Sequence, residues 1–255
     1  MKQELWLGDC LELMQNIPDK SVDMVLCDLP YGRTACKWDV VIPFEPLWEQ
    51  YKRIIKDRGA IVLFGSEPFS SYLRMSNIKQ YRYDWVWEKE QGVGFQLSRY
   101  RPLIKNECVS VFSDGTPFYF PQKELLDKPR IIKRKAGSNG KSETSPLKKS
   151  NEVVSVYTHK TPDNFLKFNR DKGFHPTQKP VALLEYLIKT YTLEGETVLD
   201  NCAGSFTTAV ACDNTNRNWI CIEKEEKYCN IGLTRINANR ERLSLPPFKI
   251  IQKSR

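Results

Sequence analysis

The sequence lacks the features that would place the protein in a membrane, in an oxidising compartment or around a structural metal. No apolar run approaches the roughly 20 residues that span a bilayer, and residues 1–5 lack the apolar core of a signal peptide. None of the eight cysteines forms a C-x-x-C pair and there are only two histidines, so no metal site is expected. We therefore predict a reduced, cytoplasmic protein without membrane association.

Phosphate-cradling glycine motifs are also missing. The pattern G-x-x-x-x-G-K-[ST] does not occur, which disfavours an ATPase of that kind. Positive charge, in contrast, is abundant: 39 Lys and Arg against 31 Asp and Glu give a net charge of +8. Residues 121–150 alone hold nine Lys or Arg and three Asp or Glu. This concentrated excess favours an anionic partner such as nucleic acid.

Apolar runs alternate with amphipathic stretches at both ends of the chain. Val22–Cys27, Ala60–Phe64 and Thr197–Asp200 are typical of buried parallel strands. Apolar residues recur at helical spacing from Phe44 to Ile55, and Gly59 is expected to end that helix. Strands and helices in alternation predict an α/β fold with a mostly parallel sheet.

The middle of the chain shows little regular periodicity. Residues 136–150 contain almost no apolar side chains, and two interpretations stay open: a flexible surface loop, or a segment that reads DNA. We accordingly divide the chain into residues 1–112, an insertion at 113–172 and residues 173–255.

The stretch Asp28-Leu29-Pro30-Tyr31 directly follows the first of these strands. In open α/β sheets, ligands bind in the crevice beyond the carboxyl ends of the strands. The carboxylate of Asp28 and the carbonyl of Leu29 could both accept hydrogen bonds from one amino group, and Tyr31 offers a flat face for a base. Stacking of that kind is worth roughly 1–3 kcal/mol. The same tetrapeptide is equally typical of a simple turn, because Asp and Pro are common in turns.

A second pattern, strand, small-residue loop, helix, strand and acid, runs from Asp200 to Glu223. The loop lets a ligand approach the backbone, and the Glu223 carboxylate can hold two ribose hydroxyls. Gly204 alone makes a poor dinucleotide fingerprint, so the pattern suits a nucleoside-like cofactor without phosphates. A plain loop over a packed core is the alternative.

Three motifs in their chain order resemble the beta class of S-adenosylmethionine-dependent DNA amino-methyltransferases. They are Asp28-Leu29-Pro30-Tyr31, His175-Pro176-Thr177-Gln178-Lys179-Pro180, and Asp200 to Thr208. The family motif is Asp-Pro-Pro-Tyr, so Leu29 stands where its first proline would be. The resemblance implies a Rossmann-like methyltransferase fold with a seven-stranded, circularly permuted sheet and an inserted target-recognition region.

The resemblance also implies roles for individual residues. Asp28, Leu29, Pro30 and Tyr31 would be catalytic. The residues implied at the cofactor are Asp9, Cys10, Asp28, His175, Thr177, Lys179, Pro180, Asp200, Asn201, Cys202, Ala203, Gly204, Ser205, Phe206, Thr207, Glu223 and Lys224. Within this set Asp9 and Cys10 would meet the adenine, and residues 175–180 would line the methionine end. Asn201 and Phe206 replace the proline and glycine that the family usually has.

The activity that the resemblance implies is methyl transfer from S-adenosyl-L-methionine to the N6 amino group of adenine, in a specific site of double-stranded DNA. The base must leave the stack to be reached. Methylation of cytosine N4, a protein or RNA methyltransferase, and a catalytically weak DNA-binding relative are the alternatives. A cysteine nucleophile attacking cytosine C5 is disfavoured, because the chain has no Pro-Cys dipeptide. A homodimer and a companion restriction enzyme are both compatible with this class.

Overall fold

The computed structural model describes residues 2–33, 39–135, 152–171 and 178–248. The chain forms two compact units, one of residues 1–120 and 164–255, the other of residues 121–163. The second unit is shorter than the predicted insertion, because residues 113–120 and 164–172 belong to the larger unit. Its assignment as a target-recognition region stays a prediction, and the loop predicted at 136–150 lies outside the described residues.

The larger unit is built on one eight-stranded sheet. The strands among the described residues are β1 (Gln3–Leu7), β2 (Val22–Cys27), β3 (Ile55–Gly65), β4 (Tyr81–Val93), β5 (Ile104–Phe112), β6 (Glu124–Lys135), β7 (Glu152–Lys160), β8 (Phe165–Lys167), β9 (Thr197–Asp200) and β10 (Asn218–Glu223). The sheet order is β1-β10-β9-β2-β3-β5-β4-β8. The β3–β5 and β4–β5 pairs are antiparallel and the other neighbours run parallel.

These pairings confirm the predicted α/β class with a mostly parallel sheet. The sheet nevertheless has eight strands where seven were expected, because the short edge strand β8 lies in a region without periodicity in the sequence. The circular permutation implied by the resemblance stays a prediction.

Helices cover both faces of the sheet. They are α1 (Cys10–Leu13), α2 (Phe44–Ile54), α3 (Phe69–Ser76), α4 (Val181–Tyr191), α5 (Thr207–Asn214) and α6 (Glu226–Arg242). Side chains of α4, α5 and α6 join one buried cluster, and those of α1, α2 and α3 join another. Strand β2 serves both clusters, since Met24 and Leu26 enter the first while Val25 and Cys27 enter the second. A strand buried on both faces explains the continuous apolar run in the sequence. No helix among the described residues is long and apolar enough to cross a membrane.

Gly59 does not end helix α2, contrary to expectation. The helix ends at Ile54 and β3 begins at the next residue, so Gly59 lies inside the strand. A Cβ on Gly59 would come within 2.8 Å of the Asp23 carbonyl oxygen and 2.7 Å of the Ile55 side chain. The glycine is therefore needed for the close approach of β2 and β3, not for a helix cap.

The smaller unit is a two-stranded antiparallel ribbon of β6 and β7. It exposes apolar side chains such as Ile131 and Val156 together with the basic residues Lys128, Arg130 and Lys133. Neither strand was predicted, because exposed residues on both faces of a ribbon leave no alternation of polar and apolar positions to detect.

Phe206 occupies a notch in helix α6. Its backbone has φ 58° and ψ 36°, the left-handed region that suits the glycine usual in the family. The ring is fully buried, and a Cβ on Gly232 would lie 2.0 Å from Phe206 Cδ2. The side chain therefore fills space that Gly232 leaves open in α6.

We expect Gly232→Ala to destabilise the protein, although alanine normally gains up to about 1 kcal/mol over glycine inside a helix. The new methyl group collides with a buried ring, and overpacking typically costs about 1–3 kcal/mol. The free energy of unfolding in urea measures the net effect.

The control is the same substitution in a Phe206→Gly background, where the ring is gone. There Gly232→Ala should be neutral or stabilising. Equal destabilisation in both backgrounds would contradict the proposed fit between Phe206 and Gly232.

Candidate active site

A cavity of about 660 Å³ opens at the carboxyl ends of β1, β2, β9 and β10. The residues that line it and that the sequence had singled out are Asp9, Cys10, Asp28, Leu29, Pro30, Tyr31, Lys179, Asp200, Asn201, Cys202, Ala203, Gly204, Ser205, Thr207, Glu223 and Lys224. Pro180 and Phe206 are not on its wall: Pro180 caps α4, and Phe206 points to α6. His175 and Thr177 lie outside the described residues.

Asp28 is one of the carboxylates that line this cavity, with 29% of its side chain exposed. Its Oδ1 accepts a hydrogen bond of 2.6 Å from the Tyr31 hydroxyl, and its Oδ2 accepts one from Lys179 Nζ. The Tyr31 ring stacks on Phe69 with centroids 4.9 Å apart. Strand β2 thus delivers a carboxylate whose position is fixed from two sides.

Behind Asp28 lies a buried carboxylate that the sequence did not reveal. Glu107 on β5 is 7% exposed, and its Oε1 lies 3.4 Å from Lys179 Nζ and 3.2 Å from the Tyr31 hydroxyl. Its Oε2 lies 3.2 Å from Lys89 Nζ. The only signal in the sequence was one acid inside an apolar strand, which is equally typical of a solvated position.

The two carboxylates have opposite pKa shifts. Burial raises the pKa of Asp28, although the Lys179 ammonium opposes that rise. Burial also acts to raise the pKa of Glu107, but Lys179 and Lys89 together hold it below its usual value. Lys179 itself stays protonated, since the two carboxylates raise its pKa against the effect of burial. The two lysines thus favour the ionised form of Glu107, whereas burial disfavours the ionised form of Asp28.

The other end of the cavity is formed by the loop after β9 and by the end of β10. Glu223 accepts hydrogen bonds from the backbone N–H of Gly204 at 2.7 Å and of Glu225 at 2.9 Å. Gly204 has φ +51°, and a Cβ there would meet nothing within 4 Å. Across from it, Asp9 caps α1 and lies 3.6 Å from Lys224 Nζ. A carboxylate beside an open glycine cradle suits a ribose-bearing ligand.

The floor between the two ends is polar but internally satisfied. Asp200 accepts from Thr208 Oγ1 at 2.5 Å and from the backbone N–H of Cys202 at 3.2 Å, and burial raises its pKa to about 6. The fully buried Tyr51 donates its hydroxyl to Asn201 Oδ1 at 2.6 Å. Asn201, which replaces the usual proline, is therefore anchored to helix α2.

The surroundings of the cysteines on this floor favour the thiol over the thiolate. Burial raises the pKa of the Cys27 thiol to about 12, and the pKa of Cys10 is also raised, chiefly by its hydrogen bond with Cys202. Thiolates, not thiols, attack electrophiles. That no cysteine route operates stays a prediction.

A second residue missed by the sequence supports the loop after β9 from below. Arg235 on α6 is buried, and its Nη1 donates to the Ser205 carbonyl at 2.9 Å and to Thr207 Oγ1 at 2.8 Å. The sequence had shown only that this helix is basic. Its guanidinium fixes the loop from outside the cavity.

Comparison with known proteins identifies the family. A family model for N6 and N4 methyltransferases, described as DNA methylase, matches residues 22–234. The chain belongs to the DNA methylase family. Among curated relatives, DNA adenine methyltransferase YhdJ of Escherichia coli (strain K12) is 28% identical over 249 residues, covering 90% of this DNA methylase and 81% of the relative.

Two further matches agree. Type II methyltransferase M.HpaI of Haemophilus parainfluenzae is 25% identical over 251 residues, covering 93% of the DNA methylase and 75% of the relative. The solved structure of an M1.HpyAVI–SAM complex has a TM-score of 0.61 at 23% identity, covering 91% and 98% of the two chains. The predicted enzyme class and methyltransferase fold are thereby confirmed, while the roles of individual residues stay predictions.

We expect Asn201→Ala to destabilise this DNA methylase by about 1–3 kcal/mol, because the buried Tyr51 hydroxyl would lose its acceptor. Urea unfolding measures the loss. Tyr51→Phe in addition should cost nothing further, since the unsatisfied hydroxyl is then absent. If the two losses simply add, the hydrogen bond is not what connects Asn201 to α2.

Proposed function

We propose that this DNA methylase transfers a methyl group from S-adenosyl-L-methionine to the N6 amino group of adenine in double-stranded DNA. The observation that carries the proposal is Asp28, a carboxylate held at the end of β2 and open to a cavity that also contains a ribose-type site. The name of the relative YhdJ supports adenine over cytosine as the target.

The residues at the far end of the cavity fit this cofactor. Glu223 can share its remaining lone pairs with two ribose hydroxyls, and the space beside Gly204 admits a ligand close to the backbone. A volume of about 660 Å³ is within the range of ligand pockets. When bound, the cofactor supplies an electrophilic methyl group. Phe206 does not narrow this space, because its ring is in the notch of α6.

At the other end the chain would bind and orient the amine. Asp28 and the Leu29 carbonyl would each accept one N–H of the amino group, which aims its lone pair at the electrophile. Tyr31 is backed by Phe69 on one face, and its other face would support the flipped base. Catalysis then consists of orientation and electrostatics, and the amine loses its proton readily once methylated.

Two variants test the amine-binding end and the cofactor-binding end of the cavity separately. Asp28→Ala should lower turnover by orders of magnitude and leave cofactor affinity nearly unchanged. Glu223→Ala should weaken cofactor binding by roughly tenfold or more, because two charge-assisted hydrogen bonds are removed. Turnover is measured with labelled cofactor and unmethylated duplex DNA, and affinity by calorimetry.

Digestion of the labelled DNA to nucleosides names the product. N6-methyladenine is the expected product, whereas N4-methylcytosine would establish the alternative target. If the unaltered protein binds the cofactor and DNA but incorporates no label, it is the catalytically weak relative.

The β6–β7 ribbon is the proposed DNA reader. The major groove admits a two-stranded ribbon, and basic side chains along it can contact phosphates. Lys128, Arg130 and Lys133 on β6 are exposed. Tyr157, opposite Arg130 in the register, is 42% exposed and could contact a base edge.

A second exposed surface on the larger unit suits the same partner. The turn from Gly94 to Leu103 joins β4 to β5 and is closed by its own backbone hydrogen bonds, such as Leu97 N–H to the Gly94 carbonyl at 2.9 Å. Phe95 and Tyr100 are 78% and 85% exposed. Arg99 and Arg101 flank Tyr100, and residues 94–103 contain no acid. Aromatic rings interleaved with arginines favour nucleic acid.

Replacing Lys128, Arg130 and Lys133 together by Ala should weaken DNA binding and reduce its salt dependence. For each phosphate that the variant no longer neutralises, the slope of log affinity against log salt should fall by about 0.9. Affinity measured across a salt series tests this, with cofactor affinity expected to stay unchanged. Lys52→Ala with Lys79→Ala, two exposed lysines of the larger unit, lowers the net charge by two where the triple variant lowers it by three, and its salt slope should stay near that of the unaltered protein. An unaltered slope in the triple variant would locate the reader elsewhere.

The proposed substrate also suggests where the enzyme acts and which proteins accompany it. The enzyme would act in the bacterial cytoplasm or on phage DNA, where duplex DNA is available. The Type II name of the relative M.HpaI favours a companion restriction enzyme. A homodimer is compatible with the same role.

A further inference from the structure

The carboxylate proposed to hold the target amine is already occupied. Lys179 Nζ donates to Asp28 Oδ2, and the Tyr31 hydroxyl donates to Oδ1. The Lys179 side chain is only 9% exposed, so water cannot readily replace Asp28 as the partner of its ammonium group. An incoming amine would therefore compete with Lys179 for the Asp28 carboxylate.

The charge on Lys179 makes this competition costly for methyl transfer. The attacking nitrogen gains positive charge as its bond to the methyl carbon forms, and a neighbouring ammonium opposes that change. The Lys179 side chain is largely shielded from water, which strengthens the repulsion. Lys179 must therefore leave Asp28 while staying protonated and paired.

Glu107 is placed to receive it. Its Oε1 is 3.4 Å from Lys179 Nζ, so a small approach turns this contact into a hydrogen bond. Lys89 holds the other oxygen at 3.2 Å, which fixes the Glu107 carboxylate in place. The ammonium can thus pass from one carboxylate to the other without crossing water.

We propose that Glu107 is a positioning residue that accepts the Lys179 ammonium when the target amine binds, and so releases Asp28 to the amine. The proposal rests on the function proposed above. Before the amine arrives, Lys179 on Asp28 balances the charge of the carboxylate that faces the cavity.

The charges around Asp28 give this transfer a signature in the pH profile. Lys179, Tyr31 and Glu107 surround Asp28 directly, Lys89 lies behind Glu107, and Cys27 and Asp200 lie on the cavity floor. The Glu107 charge acts to raise the pKa of Asp28, and Lys179 acts to lower it. Removing the Glu107 charge therefore lowers the pKa of Asp28 and moves the acid limb of kcat to lower pH.

The test compares Glu107→Gln, Lys179→Met and the double variant with the unaltered enzyme. In Glu107→Gln we expect kcat to fall at least tenfold, with KM for DNA and cofactor affinity within twofold. The acid limb of kcat should move to lower pH. The double variant should turn over at least threefold faster than Glu107→Gln, because the competing ammonium is gone. Glu88→Gln, which removes a partly buried carboxylate of β4 that is paired with Lys105 and Lys167 away from Asp28, should match the unaltered enzyme.

If Glu107 only supported the fold, removing Lys179 as well would not restore turnover and the acid limb of kcat would not move. A double variant no faster than Glu107→Gln, or an acid limb that does not move, would overturn the proposal. Thermal midpoints of all variants detect loss of folding. Failure of the proposed function is distinct, since the unaltered enzyme would then form no N6-methyladenine.

Discussion

The parallel pairing of β2 with β9 is the constraint on which the rest of the site depends. Met24 and Val25 register with Val198 and Leu199, so the two strands end side by side although most of the chain separates them in sequence. The tetrapeptide Asp28-Leu29-Pro30-Tyr31 follows one strand, and the small-residue loop follows the other. Since β2 is buried on both faces, a one-residue slip would move every one of its side chains into the opposite cluster. The position of the cavity is thus set by the pairing of the strands and not by the loops that follow them.

Much of this arrangement could be predicted from the sequence, because buried parallel strands produce continuous apolar runs. The run Val22–Cys27 and the acid at Glu223 were both correctly identified as strand and strand end. Gly59 was wrongly predicted to end helix α2, because a glycine that allows two strands to approach looks the same in the sequence as one that ends a helix. Strand β8 has three residues, which is too short for any period to appear.

The buried charges could not be predicted for a different reason. Glu107 and Lys179 lie on distant segments, and no local pattern indicates that an acid in a strand and a lysine before a helix share one buried cluster. The burial that makes their interaction strong comes from tertiary packing alone. Sequence motifs therefore identified Asp28 and Lys179, but neither Glu107 nor the ion pairs that connect the three side chains.

The contact between Phe206 and Gly232 also bears on how such motifs are compared between proteins. A phenylalanine in the small-residue loop looks like the loss of a cofactor site when the loop is aligned alone. Here the ring has been accommodated by a glycine one helix away, so the loop keeps its path and its open side. Positions 206 and 232 are coupled in this chain: a smaller residue at 206 alone would leave a void, and a larger residue at 232 alone would collide with the Phe206 ring.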